Sequence, residues 1–125
     1  MEFDDKVPIY YQIELYIRRQ IIAGELIPGD KLPPVRQLAV DLTVNVNTIQ
    51  RALGALIQAG ILVSKRGLGN FVTDDSAVLS GIREAAIEHE LSRVYDDLSA
   101  LGLSAAQMTK ALREYIEKRG EASHE

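Results

Sequence analysis

The sequence predicts a mainly α-helical fold with one small β-hairpin, in which three helices precede the hairpin and two follow it. Apolar residues recur at helical spacing in five segments, whereas residues 61–73 place apolar and β-branched residues on both sides of a glycine-containing turn. The chain has 125 residues, of which 46% are apolar, a composition typical of a folded protein. We therefore expect one compact domain with a helical appendage.

Local signals place the elements before residue 76. Ile9, Ile13, Ile17 and Ile21 recur every four residues after Pro8, and Gly24 is a plausible helix end. Asn45 is a good N-cap for the third helix, and Lys31-Leu32 reads as a short extended piece. The predicted ranges are residues 8–24, 34–42 and 46–59 for the helices, and 61–65 and 70–73 for the strands.

The sequence Asp74-Asp75-Ser76 predicts a domain boundary, with domains over residues 1–75 and 76–125. A long helix follows and ends at Gly102. Ser104 and Gln107 match a capping box, which begins a last helix. That helix runs to about Lys118 and is followed by a frayed tail. About 45 residues cannot bury these apolar stripes alone, which favours a C₂ homodimer over folding back onto the first domain. The expected interface residues are Leu91, Val94, Tyr95, Leu98, Leu101, Met108, Leu112 and Tyr115.

Composition excludes several classes of function. The absence of cysteine excludes disulfides and thiolate metal sites and fits a cytoplasmic location, while His89 and His124 form no metal-binding pattern. No apolar run approaches the length of a membrane span. No nucleophile–base pair or cofactor loop is recognisable, so we expect no catalytic residues, no cofactor and no enzyme activity.

Charge and the third helix indicate a nucleic-acid partner. The net charge is −4, yet residues 31–70 carry five basic residues and one acidic residue, a local charge of +4. Helix, short helix, turn, helix and hairpin are the layout of a winged helix-turn-helix, a DNA-reading module. On a helical wheel, Asn47, Arg51, Gly54 and Gln58 form an outward stripe flanked by Thr48 and Gln50, and such side chains can bond to base edges.

The hairpin tip adds a second candidate contact. Lys65 and Arg66 stand beside Gly67 and Gly69, so a cationic tip of little bulk could meet phosphates. The alternatives are a solvated polar helix face and an ordinary turn. Gly67-Leu68-Gly69 opens a strand rather than a helix, which argues against a dinucleotide site.

The segment LPPVRQLAVDLTVNVNTIQRALGALIQAGILVSKRGLGNFV, residues 32–72, resembles the DNA-binding domain of GntR-family bacterial transcription regulators. The short two-helix C-terminal region resembles the YtrA-type subfamily. The resemblance implies that DNA is contacted by Arg36, by Asn45, Asn47, Thr48, Gln50 and Arg51 of the recognition helix, and by Gly67 and Gly69 of the wing. Pro34, Thr43, Val46 and Asn70 depart from the family pattern, which leaves the operator sequence open.

The resulting hypothesis is a repressor that binds a pseudo-palindromic operator in double-stranded DNA as a homodimer. Resemblance to the subfamily implies control of its own operon and of an adjacent transporter. A small-molecule effector, if one acts, is expected in a cleft between the C-terminal helices and the winged domain. The alternative is a winged helix that serves as a protein-interaction module without specific DNA binding.

Overall fold

The structure is a computed structural model that describes residues 2–123. Its elements follow in the predicted order, so the predicted fold class is confirmed. They are α1 (Ile9–Ile22), α2 (Val35–Leu42), α3 (Val46–Gln58), β1 (Leu62–Lys65), β2 (Gly69–Val72), α4 (Ser76–Ala100) and α5 (Ala105–Ser123). Each strand lies within one residue of its predicted range.

The hydrophobic core lies where α1, α2 and β1 pack against α3. The side of α3 that the wheel placed inward is buried, and its residues Ile49 and Leu56 have no solvent-exposed surface. Ile13 and Ile17 of α1 meet this face, as predicted from their four-residue spacing. Burial of each such side chain stabilises the fold by about 1.5–3 kcal/mol, which fixes α3 with its opposite face toward solvent.

The helix ends are closed by one recurring motif. In α1, α3 and α4 the residue after the last helical turn is a glycine with positive φ, namely Gly24, Gly60 and Gly102. The next residue donates its N–H to a carbonyl five residues earlier, as Ile61 does to Leu56 at 3.0 Å, which defines a Schellman motif. In α2 the same motif places Thr43 at φ 56° and ψ 51°, and Val44 donates to the Ala39 carbonyl at 3.0 Å.

The hairpin pairs β1 with β2 in antiparallel register, from Leu62 opposite Val72 to Lys65 opposite Gly69. The extended piece predicted around Lys31 adds a partial third strand, because Lys31 bridges to Phe71 and the Leu32 N–H donates to the Asn70 carbonyl at 2.9 Å. β2 is therefore paired on both of its edges, with β1 on one side and with residues 31–32 on the other. We call residues 62–72 the wing.

The chain forms two compact units that divide within α4, after Glu84. Asp75, where the boundary was expected, is the N-cap of α4, since its side-chain oxygen accepts hydrogen bonds from the Ala77 and Val78 N–H groups. Ile82 is 4% exposed and belongs to the core cluster of the first unit. The first turns of α4 therefore complete the first unit, because they supply apolar surface that its core buries.

The second unit comprises the rest of α4 and α5. The predicted capping box is present at the start of α5: the Gln107 N–H donates to the Ser104 hydroxyl at 3.2 Å, and the Ser104 N–H donates to the Gln107 side chain at 2.7 Å. The predicted end of this helix at about Lys118 is wrong, since α5 continues to Ser123. Gly120 is tolerated within it because an isolated glycine costs a helix only about 1 kcal/mol. The remainder of the predicted tail, His124 and Glu125, lies outside the described residues.

Candidate nucleic-acid interface

The outward stripe of α3 is exposed as the wheel predicted. Asn47, Gln50, Arg51 and Gln58 all lie on the solvent side, and Gly54 has open space where a Cβ would stand. Thr48 is half-buried, so it presents less of its side chain than its neighbours. The structure thus brings four polar side chains and one bare backbone position onto a single exposed face, and their contact with DNA remains a prediction.

Asn45 has a definite structural task. Its side-chain oxygen accepts a hydrogen bond from the Asn47 N–H at 2.8 Å, and its backbone carbonyl accepts from Thr48 and Ile49. The predicted N-cap is therefore confirmed. Since the cap uses the side-chain oxygen, only the amide NH₂ of Asn45 is left to meet a DNA acceptor.

Arg36 lies in the first turn of α2 and is exposed. This helix begins after Pro34, and no side chain among the described residues caps its N-terminus. Uncapped N–H groups and the positive end of the helix dipole favour an anion. A phosphate beside Arg36 would therefore meet backbone donors as well as the guanidinium group.

The tip of the wing is a loop over residues 66–68, in which the Leu68 N–H donates to the Lys65 carbonyl at 2.9 Å. Gly67 has φ 76° and Gly69 has φ 120°, values that side chains disfavour. Lys65 places its Nζ 4.6 Å from the centroid of the Phe71 ring, which steadies it at the tip.

Lys31 lies beside the wing and is a residue that we did not predict as part of the site. Its Cε lies 3.0 Å from where a Cβ on Gly69 would stand, so the lysine stem crosses the glycine directly. The sequence contained a partial signal, because Lys31 belongs to the basic segment. Only its pairing with Phe71 places it beside the wing.

The basic side chains of residues 31–66 are exposed and unpaired in the described part of the chain. Lys31, Arg36, Arg51, Lys65 and Arg66 are exposed, and none of them forms an ion pair with any described residue. Arg51 instead stacks on an aromatic ring, with its Cζ 3.9 Å from the centroid of Tyr10. Positive charge without nearby carboxylates suits a polyanion, whose phosphates would replace the water around these groups.

The residues predicted for an interface between subunits lie in the second unit and remain largely exposed. Leu98 and Met108 are half-buried, whereas Leu91, Val94, Tyr95, Leu101, Leu112 and Tyr115 are exposed. Ile87 and Ile116 extend the same kind of surface and were not predicted. Within this unit Leu91, Val94, Tyr95 and Leu98 of α4 line a shallow groove with Met108 and Leu112 of α5.

Comparison with known proteins agrees with this geometry. The family model "Bacterial regulatory proteins, gntR family" matches residues 9–72, so the chain belongs to the GntR family of DNA-binding transcription regulators. It is 32% identical over 116 residues to the uncharacterized HTH-type transcriptional regulator YhcF of Bacillus subtilis, spanning 93% of this chain and 96% of that protein. It is 30% identical over 108 residues to the HTH-type transcriptional repressor YtrA of the same organism, spanning 86% of this chain and 83% of YtrA. These likenesses support the YtrA-type assignment.

Solved structures give the same answer for the fold. A GntR family transcriptional regulator from Listeria monocytogenes superposes with a TM-score of 0.82 at 34% identity, over 90% of this chain and 98% of that one. The DNA-binding domain of AraR, in complex with operator ORR3, gives a TM-score of 0.53 at 34% identity over 58% of this chain and 86% of that one. These relatives are named as transcription regulators and not as enzymes.

Two negative findings apply to the part of the chain that the structure describes. No described helix combines the length and apolar character needed to cross a bilayer. Residues 2–123 also contain no group of three or more histidine, cysteine, aspartate or glutamate side chains arranged to hold a metal ion.

Proposed function

We propose that this protein is a transcriptional repressor that binds a pseudo-palindromic operator as a homodimer. The observation that carries the proposal is the set of five exposed basic side chains of residues 31–66, on α2, on α3 and at the wing, none of them paired with a carboxylate in the described residues. The groups of α3 would read base edges, and Arg36, Lys31 and the wing cations would hold the flanking phosphates.

The proposal that the protein represses transcription from an operator is supported by its similarity to relatives. YtrA is named a repressor, and the AraR domain whose fold this chain shares is seen on an operator. We further propose that the protein acts in the cytoplasm and controls its own operon and an adjacent transporter. A small molecule would be its effector.

The homodimer is supported by the apolar surface of the second unit. Leu91 is 58% exposed and Tyr115 is 59% exposed, and side chains of this size rarely cluster on a monomer's surface. Linking two DNA-binding units raises the effective concentration of the second once the first has bound. Leu91→Glu should therefore yield monomers in light scattering, whereas Ser92→Glu, at the exposed neighbouring position of α4, should remain dimeric.

Footprinting on DNA around the protein's own gene tests the function directly. We expect protection of two related half-sites, and a panel of candidate effectors added to the same reaction should identify one that changes the protection. A dimer that neutralises six to ten phosphates should lose affinity with log–log slope of about −5 to −9 in salt.

Two substitutions of exposed arginines provide a test variant and its matched control. Arg66→Ala at the tip of the wing should weaken binding and lower the salt slope by about 1 for each contact removed. Arg113→Ala in α5, which lies in the second unit, should leave both unchanged. Equal effects of the two variants, or binding that does not depend on salt, would favour the protein-interaction module and contradict the proposal.

A further inference from the structure

The guanidinium group of Arg51 is held by an aromatic ring from another helix. Its Cζ lies 3.9 Å from the centroid of Tyr10, which is a stacking distance. Tyr10 is half-buried in the first unit and packs against the hydrophobic core next to the buried residues Ile13 and Ile17 of α1. The ring is therefore a fixed platform, and the arginine that rests on it is a surface residue of α3.

Stacking leaves the hydrogen-bonding capacity of Arg51 unused. A guanidinium group contacts a ring through its face, whereas its five N–H donors lie in its plane and point away from its centre. No described carboxylate forms an ion pair with Arg51. In the free protein the Arg51 side chain is therefore already ordered, while its N–H donors stay available. Less side-chain conformational entropy is then lost when it binds an acceptor.

The position of the platform also restricts what Arg51 can reach. Arg51 lies one helical turn after Asn47, and in helix-turn-helix proteins the side chains at the N-terminal end of the recognition helix contact base edges. Arg51 lies on the exposed stripe of α3, but because Tyr10 belongs to α1 its guanidinium group lies at the side of that stripe next to α1. If α3 enters a major groove, the DNA backbone that borders the groove is the acceptor expected on that side.

We propose that Tyr10 is a positioning residue that holds Arg51 as a clamp for an operator phosphate, so that Arg51 fixes the register of the protein and does not read a base. The inference rests on the proposed function and deepens it. It assigns a task in DNA binding to a residue of α1, outside the helix-turn-helix and the wing.

The test compares variants of the full chain on the footprinted operator at several salt concentrations. Tyr10→Leu removes the ring and should weaken binding about three- to tenfold, whereas Tyr10→Phe keeps the ring and should bind like the unmodified protein. Arg51→Ala should lose about 5- to 100-fold on every operator variant alike and lower the salt slope by about 1 for each arginine removed. Arg51→Lys keeps the charge but not the planar face, so it should retain the slope at intermediate affinity.

Two controls separate positioning from folding. Tyr11→Leu changes the neighbouring tyrosine, which is 42% exposed, and should leave binding unchanged. Thermal unfolding of each variant shows whether the first unit is intact, and a Tyr10→Leu protein that unfolds at the unmodified temperature yet binds more weakly supports positioning. If Tyr10→Leu destabilises the unit, Arg51→Lys and the salt slopes still decide the role of Arg51.

The outcomes are distinct. If Arg51→Ala relaxes discrimination at one base pair and leaves the salt slope unchanged, Arg51 reads a base. That result would overturn the proposal that it is a phosphate clamp. Tyr10→Leu that folds and binds like the unmodified protein would remove Tyr10 from the interface. Failure of the unmodified protein to bind with a salt-dependent affinity would instead count against the proposed function.

Discussion

Replacing Thr43 by glycine should stabilise the first unit. Thr43 occupies the left-handed position of the Schellman motif that ends α2, with φ 56°, and is the one described residue other than glycine with a positive φ. The equivalent positions after α1, α3 and α4 are glycines. The side chain of Thr43 is exposed, so the substitution leaves no cavity in the core.

The expected gain follows from two opposing contributions. An L-residue with a Cβ in the left-handed region costs about 1–2 kcal/mol, and a β-branched residue belongs at the upper end. Glycine has more freedom in the unfolded chain, which offsets about 0.5–1 kcal/mol of that gain. The net stabilisation should therefore be about 0.5–1.5 kcal/mol, which for a domain of this size raises the midpoint of thermal unfolding by about 2–12 °C.

The measurement is urea and thermal unfolding followed by circular dichroism at one fixed protein concentration, since assembly would make the midpoint depend on concentration. Thr43→Ala removes the β-branch but keeps the Cβ, so it should gain less than Thr43→Gly. Gly60→Thr creates the same strain at the end of α3 and, after the same offset, should destabilise by about 0.5–1.5 kcal/mol. The pair of substitutions tests one motif in both directions.

The reasoning is refuted if Thr43→Gly is no more stable than the unmodified protein, or if Thr43→Ala gains as much. The first result would mean that the turn between α2 and α3 is not strained by threonine. The second would assign the cost to the β-branch and not to the left-handed backbone.

Three further substitutions have definite expectations. Asn45→Ala removes the cap of α3 and should lower the free energy of unfolding by about 1 kcal/mol, whereas Asn45→Ser should retain most of it; equal urea midpoints would contradict the capping role. Gly54→Ala should stabilise α3 by about 0.5–1 kcal/mol because a Cβ there meets open space, yet weaken operator binding in the same preparation if DNA approaches this face; unchanged affinity would place DNA elsewhere. Ile82→Ala should destabilise the first unit by about 2–5 kcal/mol, and Ile87→Ala, at a position 49% exposed, by less than about 0.5 kcal/mol; similar melting shifts would argue that α4 starts outside that unit.

The helices, and their ends other than that of α5, were predictable because their causes are local. The N-cap at Asn45 and the capping box at Ser104 depend on groups within three residues, and glycines that end helices do so through their own backbone freedom. The inward face of α3 was also predictable, since a 3.6-residue period is a property of the sequence alone.

The site was only partly predictable because its remaining features join distant segments. Lys31 reaches the wing through a bridge to Phe71, forty residues later in the chain. Tyr10 meets Arg51 because α1 packs against α3, and no spacing in the sequence encodes which aromatic residue of α1 faces that way. The polar residues at 74–76 mark a loop, but the burial of Ile82 decides that the first turns of α4 complete the first unit.

The sequence by itself determined the order of the elements, the GntR resemblance and the polar face of α3, because hydrogen-bonding patterns and side-chain periods are set within one or two helical turns. The tertiary structure alone decided which cations share the wing, what holds Arg51, and that the first unit extends into α4. Those features depend on packing between segments far apart in the chain, where shape and burial select the neighbours.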